Sequence, residues 1–260
     1  MLIAGRIGQT TCRMRIVHAG EGLGTLAARG SEPDKAGRFV FVSSGGVWAR
    51  VGRNAFCVSK HWGVWLPPGV VCFEYPVMMS DLIEVVTSDY HSQRLSADVT
   101  VSRCPEPVCA AFARLQNREE RAAVESRADT YIASAISKVC DIPRALTVRM
   151  PPYGSRLTDV CESVLQNPDK DRQLDRAADA LRVTVRTLGR LFQEELGTSA
   201  ARWRRDVQIA TACCALDNGT PVSEVAKKLG YGHGAFSTLF RSRLGYSPRE
   251  QARCRNSYSK

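Results

Sequence analysis

Residues 222–248 read VSEVAKKLGYGHGAFSTLFRSRLGYSP, with glycines at the alternate positions 230, 232 and 234. Glycine clusters of this kind occur in loops that bind phosphate groups and in tight turns between two helices. Here the cluster stands between two short amphipathic patterns, does not follow a strand pattern, and is not followed by Lys-Ser or Lys-Thr. The stretch therefore predicts a helix, a tight turn and a second helix.

A second segment of the same plan lies upstream, where LDRAADAL (174–181) is followed by a short break and by TVRTLGRLFQEELG (184–197). In each segment an alanine of the first helix allows close packing, and an apolar pair anchors the second helix. These residues are Ala178, Leu188 and Phe192 in the first segment, and Ala226, Phe236 and Phe240 in the second. This is the helix-turn-helix pattern, in which one helix lies in the major groove and its partner braces it.

A longer helix is predicted between the two segments, opened by Ser199 and ended by Gly219. An apolar stripe at Trp203, Val207, Ala210 and Cys214 has the i, i+4, i+7, i+11 spacing of one buried helix face. We predict that Trp203 and the paired phenylalanines belong to the core and do not stack on nucleic-acid bases.

The N-terminal part of the chain has a different sequence pattern. Up to about residue 100, short Val, Phe and Trp runs are broken by 43–46, 52–54 and Pro67-Pro68-Gly69, a pattern typical of antiparallel strands in a barrel or a sandwich. After residue 104, sequence rich in Ala, Arg and Glu predicts helices, with an extended connector near Pro151-Pro152. The sequence thus predicts an α+β multidomain chain.

Positive charge is concentrated at the back of the chain. The net charge is +10, and residues 170–260 carry 17 Lys and Arg against nine Asp and Glu. A near-neutral front joined to a basic back indicates a polyanion-binding module at the C-terminal end. No apolar stretch approaches the length of a membrane helix, and the first 15 residues lack a signal-peptide pattern, so we expect a cytoplasmic protein with no membrane partner.

The helical segments resemble the DNA-binding region of AraC/XylS-type transcriptional regulators. The resemblance covers residues 169–256 and is carried by ADALRVTVRTLGRLFQEELG, RWRRDVQIATACCAL and VSEVAKKLGYGHGAFSTLFRSRLGYSP. VSSGGVWARV and GVWLPPGVVCFEY are similar to hairpins of the cupin-like sensory domain common in that family. The resemblance implies a β-barrel, cupin-like regulatory domain at 1–104, a helical connector at 105–168, and an all-α domain with two helix-turn-helix units at 169–256.

The resemblance also implies which side chains meet DNA. The base-reading positions are Arg186, Gly189 and Arg190 in the first unit, and His233, Gly234, Ser237 and Thr238 in the second. Phosphate contacts are expected from Arg204, Arg205, Lys227, Lys228, Arg241 and Arg243. Arg190 is the leading candidate, because arginine can bond guanine through two hydrogen bonds. Each of these side chains could instead belong to an ordinary solvated helix face, and His233 could be a turn residue.

Two features depart from the family pattern. The turn of the second unit is one residue shorter than usual, and Gln208 stands where the family has a basic residue in the connecting helix. We therefore expect the second unit to dock differently or to contact mainly phosphate.

The expected function is a sequence-specific DNA-binding transcriptional regulator, and the family implies an activator that contacts RNA polymerase. A small molecule or a partner protein would act at residues 1–104, and the 106–140 region could support a homodimer or pack within the chain. The alternative is a cupin-type metalloenzyme fused to a nucleic-acid-binding module. We expect no metal, cofactor or catalytic residue, because the four histidines are not paired and Cys72 stands where such sites often have a histidine. The ten scattered cysteines are expected to be buried small side chains.

Overall fold

The computed structural model describes residues 13–19, 36–87, 95–114, 123–124, 126–137, 146–168 and 173–254. It has a sheet-rich N-terminal part and a helical C-terminal part, as predicted. Parts of the predicted effector region (1–12 and 20–35) and of the predicted dimer surface (115–122, 125 and 138–140) lie outside these ranges.

The sheet part contains nine antiparallel strands among the described residues. These are β1 (Arg13–Ala19), β2 (Arg38–Ser44), β3 (Gly46–Val51), β4 (Asn54–Ser59), β5 (Trp62–Leu66), β6 (Cys72–Pro76), β7 (Ser80–Val86), β8 (Thr100–Arg103) and β9 (Thr147–Arg149). They form a five-stranded sheet in the order β1-β7-β2-β5-β8 and a four-stranded sheet in the order β6-β3-β4-β9. We call these sheet A and sheet B.

The predicted closed barrel is not found among the described strands. No strand pair joins sheet A to sheet B, and each sheet keeps two edge strands. The chain passes from one sheet to the other at Gly45, His61 and the Pro67-Pro68-Gly69 break, where left-handed residues or prolines interrupt the ladder. The described part is therefore a sandwich of two sheets.

Side chains on both faces of each sheet are buried. In β2, Val40 and Val42 belong to an aliphatic cluster between the sheets, whereas Phe39 and Phe41 face outward from the sandwich. The outer face of sheet A is covered by α1 (Glu106–Ala113) and α2 (Ala128–Ser137), whose apolar sides pack on the phenylalanines. The described inner faces of these helices, within the predicted dimer region, are thus occupied by the same chain.

The outer face of sheet B supports the helical part. The α3 helix (Thr158–Gln166) packs there, followed by α4 (Gln173–Ala180), α5 (Val185–Leu196), α6 (Ala200–Asp217), α7 (Val222–Lys228), α8 (His233–Leu244) and α9 (Pro248–Cys254). None of the described helices is both long and apolar enough to cross a membrane. The connector between α2 and α3 was predicted to be irregular or extended, and it contributes β9 to the edge of sheet B.

The α6 helix has two buried faces. The predicted stripe of Trp203, Val207, Ala210 and Cys214 packs in one cluster with α5 and with Trp48, Ala55 and Cys57 of sheet B. A second stripe packs against α7 and α8 and consists of Ile209, Ala212, Cys213 and Leu216. The sequence pattern predicted the first stripe and missed the second.

Hydrogen bonds fasten the C-terminal end of α6 to the sandwich. The backbone N–H of Gly45 donates to Oδ1 of Asn218 over 2.9 Å, and Nδ2 of Asn218 donates to the Gly45 carbonyl over 2.7 Å. Beside them, the Ser59 hydroxyl donates to Asp217 over 2.8 Å. The Cys57 thiol donates to the Ala210 carbonyl over 3.5 Å. We call these contacts, together with the packing of Cys214 on Gly46, the α6–sheet interface.

Burial protects the cysteines. The seven cysteines whose side chains the structure describes are buried, as predicted. Cys57 and Cys214 lie in the α6–sheet interface, whereas Cys72 lies between the two sheets. Desolvation raises the pKa of the Cys57 thiol and of the Cys72 thiol, which keeps both thiols protonated and unreactive near neutral pH.

We expect Gly46→Ala to destabilise the fold, because a Cβ on Gly46 would overlap the Cys214 sulfur. Overpacking of this kind costs about 1–3 kcal/mol, measurable as a lower midpoint of urea unfolding. Adding Cys214→Ala should restore part of the loss. Gly232→Ala is the control, since its Cβ would meet nothing within 4 Å. Equal effects of the two glycine changes would contradict the close approach at Gly46.

Candidate nucleic-acid interface

Two helix pairs in the helical part share one geometry. The α4–α5 pair and the α7–α8 pair are each joined by four residues, 181–184 and 229–232. Residues in the first pair correspond to residues 48 positions later in the second pair, so that Leu188 matches Phe236 and Phe192 matches Phe240. All four side chains are buried.

The two turns use the same hydrogen bonds. The Val183 N–H donates to the Ala178 carbonyl over 3.0 Å, and the Tyr231 N–H donates to the Ala226 carbonyl over 2.8 Å. Such six-to-one bonds define the Schellman motif, in which one residue takes the left-handed conformation. Gly230 fills that position in the second turn with φ of 78°, and Arg182 fills it in the first with φ of 52°.

The GYGHGAF run is divided between turn and helix. The turn ends at Gly232, which has extended backbone angles and no side-chain cap, and α8 begins at His233. His233 is therefore a helix residue. The second turn is one residue shorter than the family pattern, but it has the same length as the first turn of this chain. The α8 helix begins at the position that corresponds to the start of α5.

The outward side of α5 is basic and open. Arg186 and Arg190 are exposed, and a Cβ added to Gly189 between them would meet nothing within 4 Å. Arg190 Nε lies 3.5 Å from a carboxylate oxygen of Glu194, one turn later. An exposed pair of this kind contributes little and is screened by salt, so the guanidinium can exchange that partner for another anion or a base edge.

The corresponding side of α8 has smaller side chains and no Lys, Arg, Asp or Glu at the predicted base-reading positions. His233, Gly234 and Thr238 are exposed, and Ser237 is half-buried. Positive charge lies instead around this surface, on Lys227 and Lys228 at the end of α7 and on Arg241 in the last turn of α8. The structure thus places the predicted base-reading residues, with Lys227, Lys228, Arg241 and Arg243, on the two helix pairs, whereas Arg204 and Arg205 lie on α6. The two pairs have different surfaces.

Sequence comparison supports this part of the chain as a DNA-binding domain. A model described as a helix-turn-helix domain matches residues 177–253. The arabinose operon regulatory protein of Salmonella typhimurium is 29% identical over 103 residues, or 38% of this chain and 37% of that protein. The regulator RipA of Corynebacterium glutamicum is 28% identical over 113 residues, or 42% of this chain and 34% of that protein.

Residues 177–253 are an AraC-type helix-turn-helix domain. The matched region spans little more than a third of the length of these relatives. Among solved structures, ToxT from Vibrio cholerae matches 93% of this chain and 98% of its own at 12% identity, with a TM-score of 0.37. The C-terminal domain of AraT from Geobacillus stearothermophilus matches 38% of this chain and 88% of its own at 28% identity, with a TM-score of 0.34.

Gln208 of α6 links the residues before α4 to the second turn. Its side chain is buried, Nε2 donates to the Pro168 carbonyl over 2.9 Å, and Oε1 accepts from the Tyr231 hydroxyl over 2.8 Å. The departure from the family pattern at this position is therefore a structural link between α6 and the second turn. Sequence reasoning noted Gln208 but missed the link, because Pro168 and Tyr231 are distant in sequence.

The remaining residues that were predicted to contact phosphate differ in their exposure and in their contacts within the chain. Arg205 is exposed, and its Nε donates to the Ala201 carbonyl over 3.1 Å, whereas Arg204 is half-buried. Arg243 lies 3.3 Å from Asp206 of α6 and has little exposure, so it connects α8 to α6. Burial raises the pKa of the Asp206 carboxyl, and Arg243 opposes that rise.

We expect Arg182→Gly to stabilise the protein by about 0.5–1 kcal/mol. An L-residue in the left-handed region costs roughly 1–2 kcal/mol, part of which glycine loses again as chain entropy. The reciprocal change Gly230→Arg should destabilise by about the same amount. Urea unfolding of the full chain measures both changes. A loss of stability in Arg182→Gly would contradict the equivalence of the two turns.

Proposed function

We propose that this chain is a sequence-specific DNA-binding transcriptional regulator in which both helix pairs act as helix-turn-helix units. The observation that carries the proposal is the repeated helix–Schellman turn–helix geometry within the AraC-type domain. The α5 and α8 helices occupy the equivalent second position, which enters the major groove in helix-turn-helix proteins. Duplex DNA is the proposed partner.

The two units have different tasks in this proposal. The α5 helix reads bases through Arg186 and Arg190, because a guanidinium at an open helix face can reach guanine. The α8 helix offers one imidazole, hydroxyls and glycine but no arginine at the positions that match Arg186 and Arg190. Its unit therefore contributes mainly position and affinity, through Lys227, Lys228 and Arg241 on phosphates. This division supports the expectation that the second unit reads little sequence.

The sheet part is proposed to receive the regulatory signal, as a small molecule or a partner protein. The same proposal includes a cupin-like origin of the sheet part and domains at 1–104, 105–168 and 169–256. It also includes activation through RNA polymerase, homodimerisation and a cytoplasmic location. The relatives matched at 29% and 28% identity are named as regulators, and nothing in these comparisons supports the metalloenzyme alternative. Among the described residues, no three His, Cys, Asp or Glu side chains are grouped as metal ligands would be.

The route of the signal is proposed to be the α6–sheet interface together with the hydrophobic cluster that contains its Cys57 and Cys214. Leu188 and Phe192 of the first unit share one hydrophobic cluster with Trp48 and Tyr75 of sheet B. A change in sheet B therefore alters the packing beneath the reading helix directly. No hinge between separate cores is needed.

We expect Arg190→Ala to weaken binding to preferred DNA sites by about 1–3 kcal/mol and to relax base preference at one position. Genome-wide mapping of bound DNA, followed by titration of selected duplexes, measures both effects. If occupancy and sequence preference stay intact, Arg190 is not a base-reading residue.

Two other variants serve as comparisons for Arg190→Ala. Lys227→Ala should weaken binding to all duplexes equally. It should also reduce the slope of the logarithm of the binding constant against the logarithm of the salt concentration by roughly one. Lys60→Ala removes the same charge from the exposed turn between β4 and β5, outside the AraC-type domain, and should change neither property.

We expect Asn218→Ala to open the α6–sheet interface, because it removes the hydrogen bonds of Asn218 to both backbone polar groups of Gly45. Mass-spectrometric thiol labelling should then show faster modification of Cys57 and Cys214, with Cys72 inside the sandwich unchanged. DNA affinity should fall, since the first unit shares its core with sheet B. Asn54→Ala, at the exposed start of β4, is the matched control. Labelling that rises equally at all three cysteines would indicate global unfolding and contradict the proposed route.

A further inference from the structure

Val185 is exposed at the start of the reading helix. It is the first residue of α5, directly after the capping residue Thr184, and its exposure is 57%. Among the described residues, only Met79 and Tyr153 are other large apolar side chains with strong exposure, and both lie outside the AraC-type domain. Tyr153 stacks on Arg50, whereas Val185 stands on the surface proposed to meet DNA.

Val185 borders an open space on the helix. Val185 and Gly189 are four residues apart and lie on one face. Apart from the adjoining residues and the nearby backbone of the helix itself, nothing comes within 4 Å of a Cβ built on Gly189. Arg186 and Arg190 stand alongside in the neighbouring row. We call the apolar recess formed by Val185 and Gly189 the Val185–Gly189 notch.

Charge separates the two halves of α5. Its N-terminal half contains Arg186 and Arg190 and no carboxylate, whereas Glu194 and Glu195 stand in its C-terminal half. The acidic end is also held by the rest of the chain. The Ser155 hydroxyl donates to the Glu195 carboxylate over 2.6 Å, and Arg53 donates to the Glu195 carbonyl. The N-terminal half is therefore the half suited to a polyanion.

We propose that the Val185–Gly189 notch receives the 5-methyl group of a thymine in the major groove, which makes Val185 a specificity-determining residue. This inference rests on the proposed function. The valine side chain cannot hydrogen-bond to a base, and in the major groove the thymine methyl is the apolar group that distinguishes base pairs. The missing Cβ at Gly189 leaves space for that methyl, and the flanking arginines hold the helix against the polyanion.

The test removes the methyl group and nothing else. Duplexes are first selected from a random library with the full chain, and each thymine is then replaced singly by deoxyuridine, which keeps its base pairing. We expect one position per site at which the replacement weakens binding about three- to fivefold, the equivalent of one buried methyl group. Val185→Ala should weaken binding to the thymine duplex by a similar factor and should bind both duplexes equally.

The controls separate contact from helix stability. Val222→Ala changes the first residue of α7, outside the notch, and should keep the full preference for thymine over uracil. Val185→Thr keeps the branched side chain and one methyl, so it should keep part of the preference.

Two results would overturn the notch while leaving DNA binding in place. In the first, no deoxyuridine replacement weakens the wild-type protein. In the second, Val185→Ala weakens binding to the thymine duplex and to the deoxyuridine duplex by the same factor, so the variant keeps the preference for thymine. If no duplex is enriched at all, the proposed function fails, and the notch fails with it.

Discussion

The two buried faces of α6 constrain the whole molecule. One face completes the core that joins sheet B to the first helix pair, and the other completes the core of the second pair. A helix that serves two cores cannot rotate to improve one without exposing apolar surface of the other. The orientation of both helix pairs relative to the sandwich therefore depends on the side chains of this one helix. Close approach at Gly46 and the paired hydrogen bonds of Asn218 also fix its position along the sheet.

The helix pairs show how one backbone plan can carry different surfaces. Their turns have the same length and the same hydrogen bonds, and their buried side chains correspond position by position. The outward positions have no such constraint, since they pack against nothing in the chain. Two arginines flank Gly189 on α5, whereas histidine, glycine and hydroxyl side chains occupy the corresponding side of α8. Conservation of the inner face with divergence of the outer face is expected where packing decides only the inner residues.

The predictability of the structure follows the range of the interactions. Caps, left-handed glycines and apolar stripes act within a few residues, so the helix at Thr184 and the end at Gly197 could be predicted. The bulk of the strands could also be predicted, but their closure could not, because the same alternating patterns suit a barrel and a sandwich. The start of α8 at His233 could not be predicted, because Gly232 caps the helix without a side-chain hydrogen bond.

The candidate site was predictable to a similar extent. Family resemblance pointed to the outward positions of α5 and α8, while the contacts that restrain them are distant in sequence. Arg243, a predicted phosphate contact, also pairs with Asp206 of α6. The link from Gln208 to Tyr231 and the exposed Val185 also depend on three-dimensional packing. None of these could be derived from spacing alone.

The length of α6 also has a meaning for the proposed complex with DNA. Its 18 residues extend about 27 Å at 1.5 Å per residue. One turn of B-DNA separates successive major-groove openings on the same side of the duplex by about 34 Å. One helix pair packs on each of the two faces of this helix, whose span is comparable to one helical repeat of DNA. Because both faces of α6 are packed, the positions of α5 and α8 relative to each other are fixed in the free protein. The distance between the bases that the two helices can contact at the same time is therefore set before DNA binds.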